Sequence, residues 1–306
     1  MNSLPSAAAP TPTTFGADER DAFRRRVLSL SRRLDRSLPW SGSSAWAIYV
    51  SEVMLQQTSV ARVVEPWTRF LDVFPTPRSC AEASTADVLR QWSGLGFPRR
   101  ALALQAATRV MVNQYEGEVP SSVDDLRALP GVGPYTAHAV ASFAFGAPVG
   151  VVDTNVGRVF ARVIANRPLR ASEAQELAHD LVPPSKSARW NQAMLDLGAQ
   201  YCTATPRCSQ CPLRDQCRWR LEGGPDPSLR SAAVSRPQKT FAGSNRQARG
   251  RVLRRLESGP TTRRVLEGSM NLDDADRMKE IIDSLVSDGL IERRANKFCL
   301  AGDSAR

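Results

Sequence analysis

The segment LPGVGPYTA, residues 129–137, constrains the fold of this chain most strongly. The short helix pattern SVDDLRAL precedes it and the apolar helix pattern PYTAHAVASFAFG follows it, which predicts a helix, a tight hairpin and a second helix. Gly131 and Gly133 are expected to adopt positive φ and to approach another surface closely, while Pro134 suits the first turn of the second helix. The hairpin Gly131, Val132 and Gly133 and the free amides at the helix start therefore form a predicted anion-binding site. A plain connector between two packed helices is the alternative.

Most of the chain reads as short helices separated by Pro and Gly. Apolar residues recur at helical spacing over Val60–Phe74, and a further helix is expected over Pro98–Gln114. Pro66 is expected to kink or restart the first of these helices. Little period-two alternation interrupts this pattern, so the sequence predicts an all-α domain over residues 19–221.

The remaining segments differ in composition from this domain. Residues 1–18 are rich in Ala, Pro, Ser and Thr and are predicted to be a disordered tail, and residues 222–245 carry the Gly, Pro and Ser content of a linker. Residues 246–306 show a helix, a short helix, a longer helix and then an alternating hairpin. That order predicts a small winged-helix-like module.

The longer helix of this module is acidic. Its carboxylates are Asp273, Asp274, Asp276, Glu280 and Asp283. Winged-helix modules can bind DNA through such a helix, but carboxylates repel phosphates. We therefore favour a packing or partner-binding module over a DNA-binding one.

The net charge points to a polyanionic partner. The chain has 41 Lys and Arg against 31 Asp and Glu, with a formal charge of +10 and a pI near 9.9. A DNA phosphate is the natural anion for such a protein, although a merely solvated basic surface has the same composition. No stretch has the roughly 20 unbroken apolar residues of a membrane span, and the tail lacks the apolar core of a signal peptide. We expect a cytoplasmic, nucleoid-associated protein without a membrane partner.

Four of the six cysteines crowd into one segment. Cys202, Cys208, Cys211 and Cys217 supply four thiolates and no histidine, which suits either tetrahedral zinc or a cubane iron-sulfur cluster. Spacing alone does not separate these two, and four unliganded cysteines are the remaining alternative. Since all four ligand positions are filled, the metal is not expected to activate a water molecule.

Two carboxylates stand in suggestive settings. Glu52 lies within the apolar pattern SAWAIYVSEVML, where burial raises the pKa of a carboxyl and keeps it protonated, as a general acid requires. Asp153 ends an apolar run and begins a helix, where helix amides keep a carboxylate ionised. Such a pair can cleave a glycosidic bond. A solvent-facing Glu and an ordinary N-cap Asp are the alternatives.

LPGVGPYTA and CPLRDQC resemble the endonuclease III superfamily of DNA glycosylases. The resemblance implies that the hairpin grips the damaged strand through backbone amides and that Cys202, Cys208, Cys211 and Cys217 hold a [4Fe-4S] cluster, with zinc as the lesser alternative. The first cysteine gap is one residue shorter than the usual six of that superfamily. The resemblance also implies that the loop, with arginines on either side of its cysteines, docks on phosphates.

Further strings are similar to the MutY-type A/G-specific adenine glycosylases. They are LPW, SEVMLQQT, GLGF, VDTNV and NQAMLDLGA, and the resemblance covers about residues 38–219. It implies that Glu52 protonates the adenine ring, that Asp153 stabilises or briefly bonds the sugar cation, and that Asn155 supports this site. It further implies that Gln57 enters the duplex and that Phe97 stacks beside the opposing guanine. The family often has Tyr at the Phe97 position.

The residue type at Tyr135 distinguishes monofunctional from bifunctional glycosylases. In endonuclease III and other bifunctional relatives a lysine at this point attacks the sugar, leading to strand cleavage through a Schiff base, and a phenol cannot form that adduct. The resemblance therefore implies a monofunctional enzyme that acts on double-stranded DNA containing a mismatch. We expect a monomer, and the sequence leaves the oligomeric state open. Tyr135 would help to organise the pocket near Asp153.

Two alternatives remain open. One is a thymine glycosylase acting on G:T mismatches, and the other is a non-catalytic iron-sulfur protein that binds DNA and senses redox state. Residues 246–306 are too short and wrongly patterned for the Nudix-like domain that many MutY-type relatives carry. The preference for 8-oxoguanine over guanine is therefore left open.

Overall fold

A computed structural model describes residues 16–34, 38–231, 234 and 240–303 of the chain. Most of the predicted N-terminal tail lies outside the described residues, and its last two residues, Ala17 and Asp18, already belong to a helix. Among the described residues, no helix combines the length and the apolar character needed to cross a membrane.

Helices dominate the described chain. The α-helices are α1 Ala17–Leu34, α2 Ala45–Leu55, α3 Val60–Val73, α4 Pro77–Glu82, α5 Thr85–Gln91, α6 Arg99–Gln114, α7 Val123–Ala128, α8 Pro134–Phe145, α9 Thr154–Val159, α10 Ala171–Leu181, α11 Ser187–Gln200, α12 Arg218–Glu222, α13 Asn245–Glu257, α14 Arg263–Met270 and α15 Ala275–Ser287. A π-helical turn, Phe160–Ala165, continues α9. The predicted helical fold class is confirmed, and Pro66 lies inside a continuous α3.

The described residues form two compact units. The first unit takes those from residues 1–36 and 146–236, and the second takes those from residues 37–145 and 237–306. This division cuts the predicted domain of residues 19–221 after residue 145 and groups residues 246–303 with the earlier helices α2–α8. The predicted linker 222–245 lies partly outside the described residues and includes the 3₁₀ turn Pro227–Arg230.

The second unit is built around α2. Ser44 caps this helix by accepting a hydrogen bond from the Ala47 amide at 3.2 Å, and the helix buries almost its whole length. It packs against α3 and α8. Aromatic rings fill the core beside it, with Phe70 and Phe74 meeting edge to face at 4.9 Å. A helix apolar on all sides is stable only in such an interior position.

The first unit places α11 between α1 and α9. Phe23 of α1 meets Trp190 of α11 edge to face at 5.8 Å. Gly198 lets α11 approach the start of α9 closely, because a Cβ there would lie 2.6 Å from the Asn155 carbonyl oxygen. The close contact fixes the backbone that carries the VDTNV string.

The C-terminal module contains the sheet of the described chain. Its strands are β1 Thr261–Thr262, β2 Ile291–Arg294 and β3 Lys297–Leu300, all antiparallel, in the order β1-β3-β2. With α13, α14 and α15 the chain order is helix, strand, helix, helix, strand, strand. This is the order of a winged helix, and the predicted hairpin is present.

Candidate active site and DNA-binding surface

Glu52 is buried within α2. Its exposure is 3%, and apolar residues occupy most of the helix on either side of it. The alternative of a glutamate on a solvent face is therefore wrong. An apolar environment of this kind disfavours a charged carboxylate.

Asp153 is held by two hydrogen bonds at the N-terminus of α9. Its Oδ1 accepts from the Val156 amide at 2.8 Å, as an N-cap does, and its Oδ2 accepts from Asn155 Nδ2 at 2.6 Å. Burial raises the pKa of Asp153 above its ordinary value, while these two hydrogen bonds oppose that change. The helix amide thus favours the ionised carboxylate as expected, but desolvation is the larger effect on the pKa of Asp153.

A hydrogen-bond network extends from Asp153 to the cysteine segment. Arg158 donates from Nη2 to Asn155 Oδ1 and from Nε to the Cys202 carbonyl oxygen. Arg158 is only 8% exposed, so it keeps one geometry. Asp153, Asn155 and Cys202, predicted separately from the sequence, are thus brought together in the first unit, and Arg158 joins them.

The cysteine segment surrounds one small cavity. Cys202, Cys208, Cys211 and Cys217 line it together with Arg162 and others. Burial raises the pKa of the Cys202, Cys211 and Cys217 thiols. Arg162, 1% exposed and paired with Asp226 at 2.6 Å, donates to Cys202 Sγ at 3.4 Å, which suits a thiolate.

The donor set of this segment is four cysteine thiols around one cavity. Within the described part of the chain, no three or more His, Cys, Asp or Glu side chains are grouped so that they could hold a metal ion as they stand. Four cysteine thiolates are a ligand set that both tetrahedral zinc and a four-iron cluster use.

The hairpin has the predicted helices on both sides, α7 and α8. Gly131 has φ +77° and lies so close to α6 that a Cβ would meet Ala103 Cβ at 2.6 Å. The expectation of positive φ at Gly133 is wrong, and a Cβ there would meet no protein atom within 4 Å. Tyr135, in the first turn of α8, is half-buried.

Gln57 and Phe97 share an unusual backbone conformation. Gln57, in the turn after α2, has φ +58°, and Phe97, just before α6, has φ +47°. Non-glycine residues seldom adopt this left-handed region, and such positions concentrate at functional sites. Both side chains line the same groove in the second unit, so the structure brings these two predicted residues together.

Sequence reasoning missed Arg100. Its guanidinium donates to the carbonyl oxygens of Val53 and Met54, both at 2.9 Å, and to the Gly96 carbonyl oxygen at 3.1 Å. It therefore fixes both the end of α2 and the loop before Phe97. No local pattern signals the two contacts with α2, because they join residues more than 40 positions apart.

Gln56 is a second missed residue. Its Nε2 donates to Thr136 Oγ1 at 3.1 Å and thereby joins the end of α2 to the start of α8. The same atom lies 3.4 Å from the Gly131 carbonyl oxygen. In the second unit Glu52, Gln57 and the hairpin thus belong to one connected framework, whereas Asp153 and the cysteines belong to the first unit.

The fold and these features define a DNA-repair protein of the helix-hairpin-helix class. Residues 50–184 match the model of the HhH-GPD superfamily base excision DNA repair proteins. A solved structure described as a thermostable thymine-DNA glycosylase superposes with a TM-score of 0.61 at 26% identity, covering 67% of this chain and 98% of that one.

Two relatives identify the family within this class. An adenine DNA glycosylase of Mycolicibacterium smegmatis is 43% identical over 286 residues, covering 90% of this chain and 95% of the relative. The human adenine DNA glycosylase is 40% identical over 230 residues, covering 70% of this chain and 42% of the relative. The chain belongs to the adenine DNA glycosylase family.

Proposed function

We propose that this protein hydrolyses the N-glycosidic bond of adenine mispaired with guanine or 8-oxoguanine in duplex DNA, as a base excision repair enzyme. Family membership and the names of the relatives support the substrate. The observation that carries the chemistry is the Asp153 carboxylate, fixed by Val156 N at 2.8 Å and Asn155 Nδ2 at 2.6 Å. A carboxylate held in one place can face a positive charge that develops on the sugar.

The enzyme must first extract the adenine. A base inside a duplex is unreachable, and flipping it out costs a few kcal/mol, less at a mismatch. Gln57 fills the space that the adenine leaves, and Phe97 stacks beside the opposing guanine. The hairpin Gly131, Val132 and Gly133 holds a phosphate of the adenine strand through its backbone, which the open space beside Gly133 accommodates.

Glu52 acts as the general acid. Its carboxyl, 3% exposed, gives a proton to a ring nitrogen of adenine. Protonation makes the adenine a better leaving group. This step accounts for about 10²- to 10⁴-fold of the rate.

Asp153 stabilises the sugar cation that forms as the bond breaks. The hydrogen bonds from Val156 and Asn155 favour its ionised form against the effect of burial, which raises its pKa. Arg158 holds Asn155 in place and so acts on Asp153 indirectly. The Asp153 carboxylate that faces the sugar is thus held in position before the substrate binds.

Tyr135 makes the enzyme monofunctional. A phenol at this position helps to organise the pocket but forms no Schiff base with the sugar, so water completes the reaction. Borohydride in the presence of an A:8-oxoguanine duplex checks this. We expect base release without covalent capture or rapid nicking, and efficient capture would contradict the assignment.

Cys202, Cys208, Cys211 and Cys217 would hold a [4Fe-4S] cluster, whose contribution is to fix the fold of this segment. The chain's own part is to present basic side chains of the segment, among them Arg214, Arg218 and Arg220, to DNA phosphates. Anaerobic purification tests the metal. Visible iron-sulfur absorption supports the proposal, and a colourless protein with stoichiometric zinc overturns it.

The substrate is tested by single-turnover assays on three duplexes, with A opposite 8-oxoguanine, A opposite G and T opposite G. We expect adenine release from the first two. Thymine release from the third alone would favour the thymine glycosylase that the superposed structure represents. Sedimentation of the protein with and without DNA checks that it acts as a monomer.

A further inference from the structure

A groove of about 890 Å³ runs through the second unit beside Phe97. One wall comes from the segments around α3 and the start of α6, with Gln57, Arg62 and Phe97. The opposite wall comes from Phe241 and from helix α13 of the C-terminal module, with Arg246 and Arg254. The module therefore completes a cavity whose other wall carries both residues assigned to the duplex.

The groove is strongly basic. Six arginines line it, and Glu257 is the one carboxylate among the described lining residues; the arginines are Arg62, Arg99, Arg100, Arg246, Arg249 and Arg254. Arg62 and Arg100 donate to backbone carbonyl oxygens, and Arg99 and Arg249 pair with Asp288. Arg254 is exposed and has no hydrogen-bond or ion-pair partner among the residues that the structure describes. The excess charge suits a phosphate backbone.

Aromatic rings and a guanidinium alternate across the groove. The Arg246 guanidinium lies 5.5 Å from the centre of the Phe97 ring and 5.2 Å from the centre of the Phe241 ring. Phe241 is 54% exposed, so part of its ring is open to a ligand in the groove. Exposed aromatic faces beside arginines are the features that bind nucleotides in single strands, through stacking and phosphate contact.

The acidic helix of the module does not enter this groove. None of the described residues of α15 lines it, whereas α13, which carries five arginines, forms one wall. The carboxylates of α15 therefore do not oppose a phosphate bound at α13 in this groove. The wall is also fixed in place, because Arg90 of α5 pairs with Asp303 at 2.7 Å.

The position of the groove selects one DNA strand. Phe97, which stacks beside the opposing guanine, lines it, and the hairpin residues 131–133, which hold the adenine strand, are not among its described lining residues.

We propose that this groove binds a nucleotide of the strand opposite the adenine, with its phosphate on Arg246 and Arg254 and its base against Phe241. The proposal rests on the proposed function. It assigns to the C-terminal module a direct part in holding the substrate, in place of a packing role.

Affinity for a duplex containing a non-cleavable adenine analogue opposite 8-oxoguanine tests the phosphate contacts. Arg254→Gln is expected to reduce the slope of log affinity against log salt by about 0.9, because one phosphate contact is lost. Phe241→Ala is expected to weaken binding about fivefold or more, as loss of a stacking ring does. Arg264→Gln removes an exposed arginine of α14 outside the groove and serves as the matched control. Equal salt slopes and affinities for all variants would overturn the proposal.

Photocrosslinking tests the choice of strand. Phe241→p-benzoylphenylalanine is irradiated with the same duplex labelled on one strand at a time. Capture of the strand opposite the adenine supports the proposal, and capture of the adenine strand alone, or of neither strand, overturns it. Adenine release by the wild-type protein is measured in parallel. If the proposed function is wrong, the wild-type protein releases no adenine. If only the assignment of the groove is wrong, adenine release is unchanged.

Discussion

The guanidinium of Arg100 lies 5.4 Å from the centre of the Phe97 ring, and the same guanidinium binds the last carbonyls of α2. One half-buried cation therefore holds both loops whose residues, Gln57 and Phe97, have left-handed backbones. Burial lowers the pKa of Arg100 to about 10, so the side chain is still charged at neutral pH.

Arg100→Met is expected to lower the free energy of unfolding by about 2–4 kcal/mol, because several carbonyl groups lose a charged donor. Adenine release should also slow, since Gln57 and Phe97 lose their support. Urea denaturation and single-turnover kinetics measure the two effects. Arg109→Met, at an exposed position of the same helix, is the control, and equal stability of the two variants would refute the role of Arg100.

Alanine substitutions at the two hairpin glycines should differ in their effects, one on stability and the other on DNA binding. Gly131→Ala combines positive φ with a Cβ 2.6 Å from Ala103 Cβ, and we expect a loss of about 2–4 kcal/mol of stability. Gly133→Ala meets open space within the protein and should change stability by less than about 0.5 kcal/mol while weakening DNA binding. Thermal melts and duplex affinities compare the variants, and identical behaviour would contradict the assignment.

Asp153→Asn should stabilise the protein while abolishing activity. Because burial raises the pKa of Asp153 in the folded state, ionising this group destabilises the fold as pH rises. The gain in the free energy of unfolding should therefore be absent below about pH 4, near the ordinary pKa of Asp. It should appear as the pH rises above that value. Stability measured across this range checks the sign. Asp215→Asn, with an 84% exposed side chain, should show no such dependence.

Arg162 should determine how well the cysteine segment holds its metal. Arg162→Met leaves Asp226 without its cation and removes the donor to Cys202 Sγ, so we expect about 3–5 kcal/mol of destabilisation and reduced iron content. Iron analysis against Arg207→Met, an exposed arginine of the same segment that does not line the cysteine cavity, provides the comparison. Equal iron content in the two variants would exclude this role.

Local patterns predicted much of the fold and of the site. Helical periodicity located α3 and α6, and the VDTNV string located Asp153 at an N-cap, because both depend on neighbours within a few residues. The apolar residues around Glu52 in the sequence left a buried and a solvent-facing glutamate as alternatives, and only the packed structure decides for the buried one.

The rest depends on tertiary contacts. Arg100, Arg158 and Gln56 bind partners distant in sequence or specific to the packed backbone, and no motif announces them. Gly131 and Gly133 look alike in LPGVG, and only the proximity of Ala103 distinguishes them. The groove beside the C-terminal module could not be predicted, because the charge of a helix in the sequence does not show whether that helix faces a cavity.

Adenine release by a Glu52→Gln variant tests the central claim most directly. Under single-turnover conditions with A opposite 8-oxoguanine, we expect the rate to fall about 10²- to 10⁴-fold, with duplex binding retained. Glu65→Gln, at an 87% exposed side chain of α3, should leave the rate unchanged. A Glu52→Gln variant that releases adenine at the wild-type rate would contradict the account.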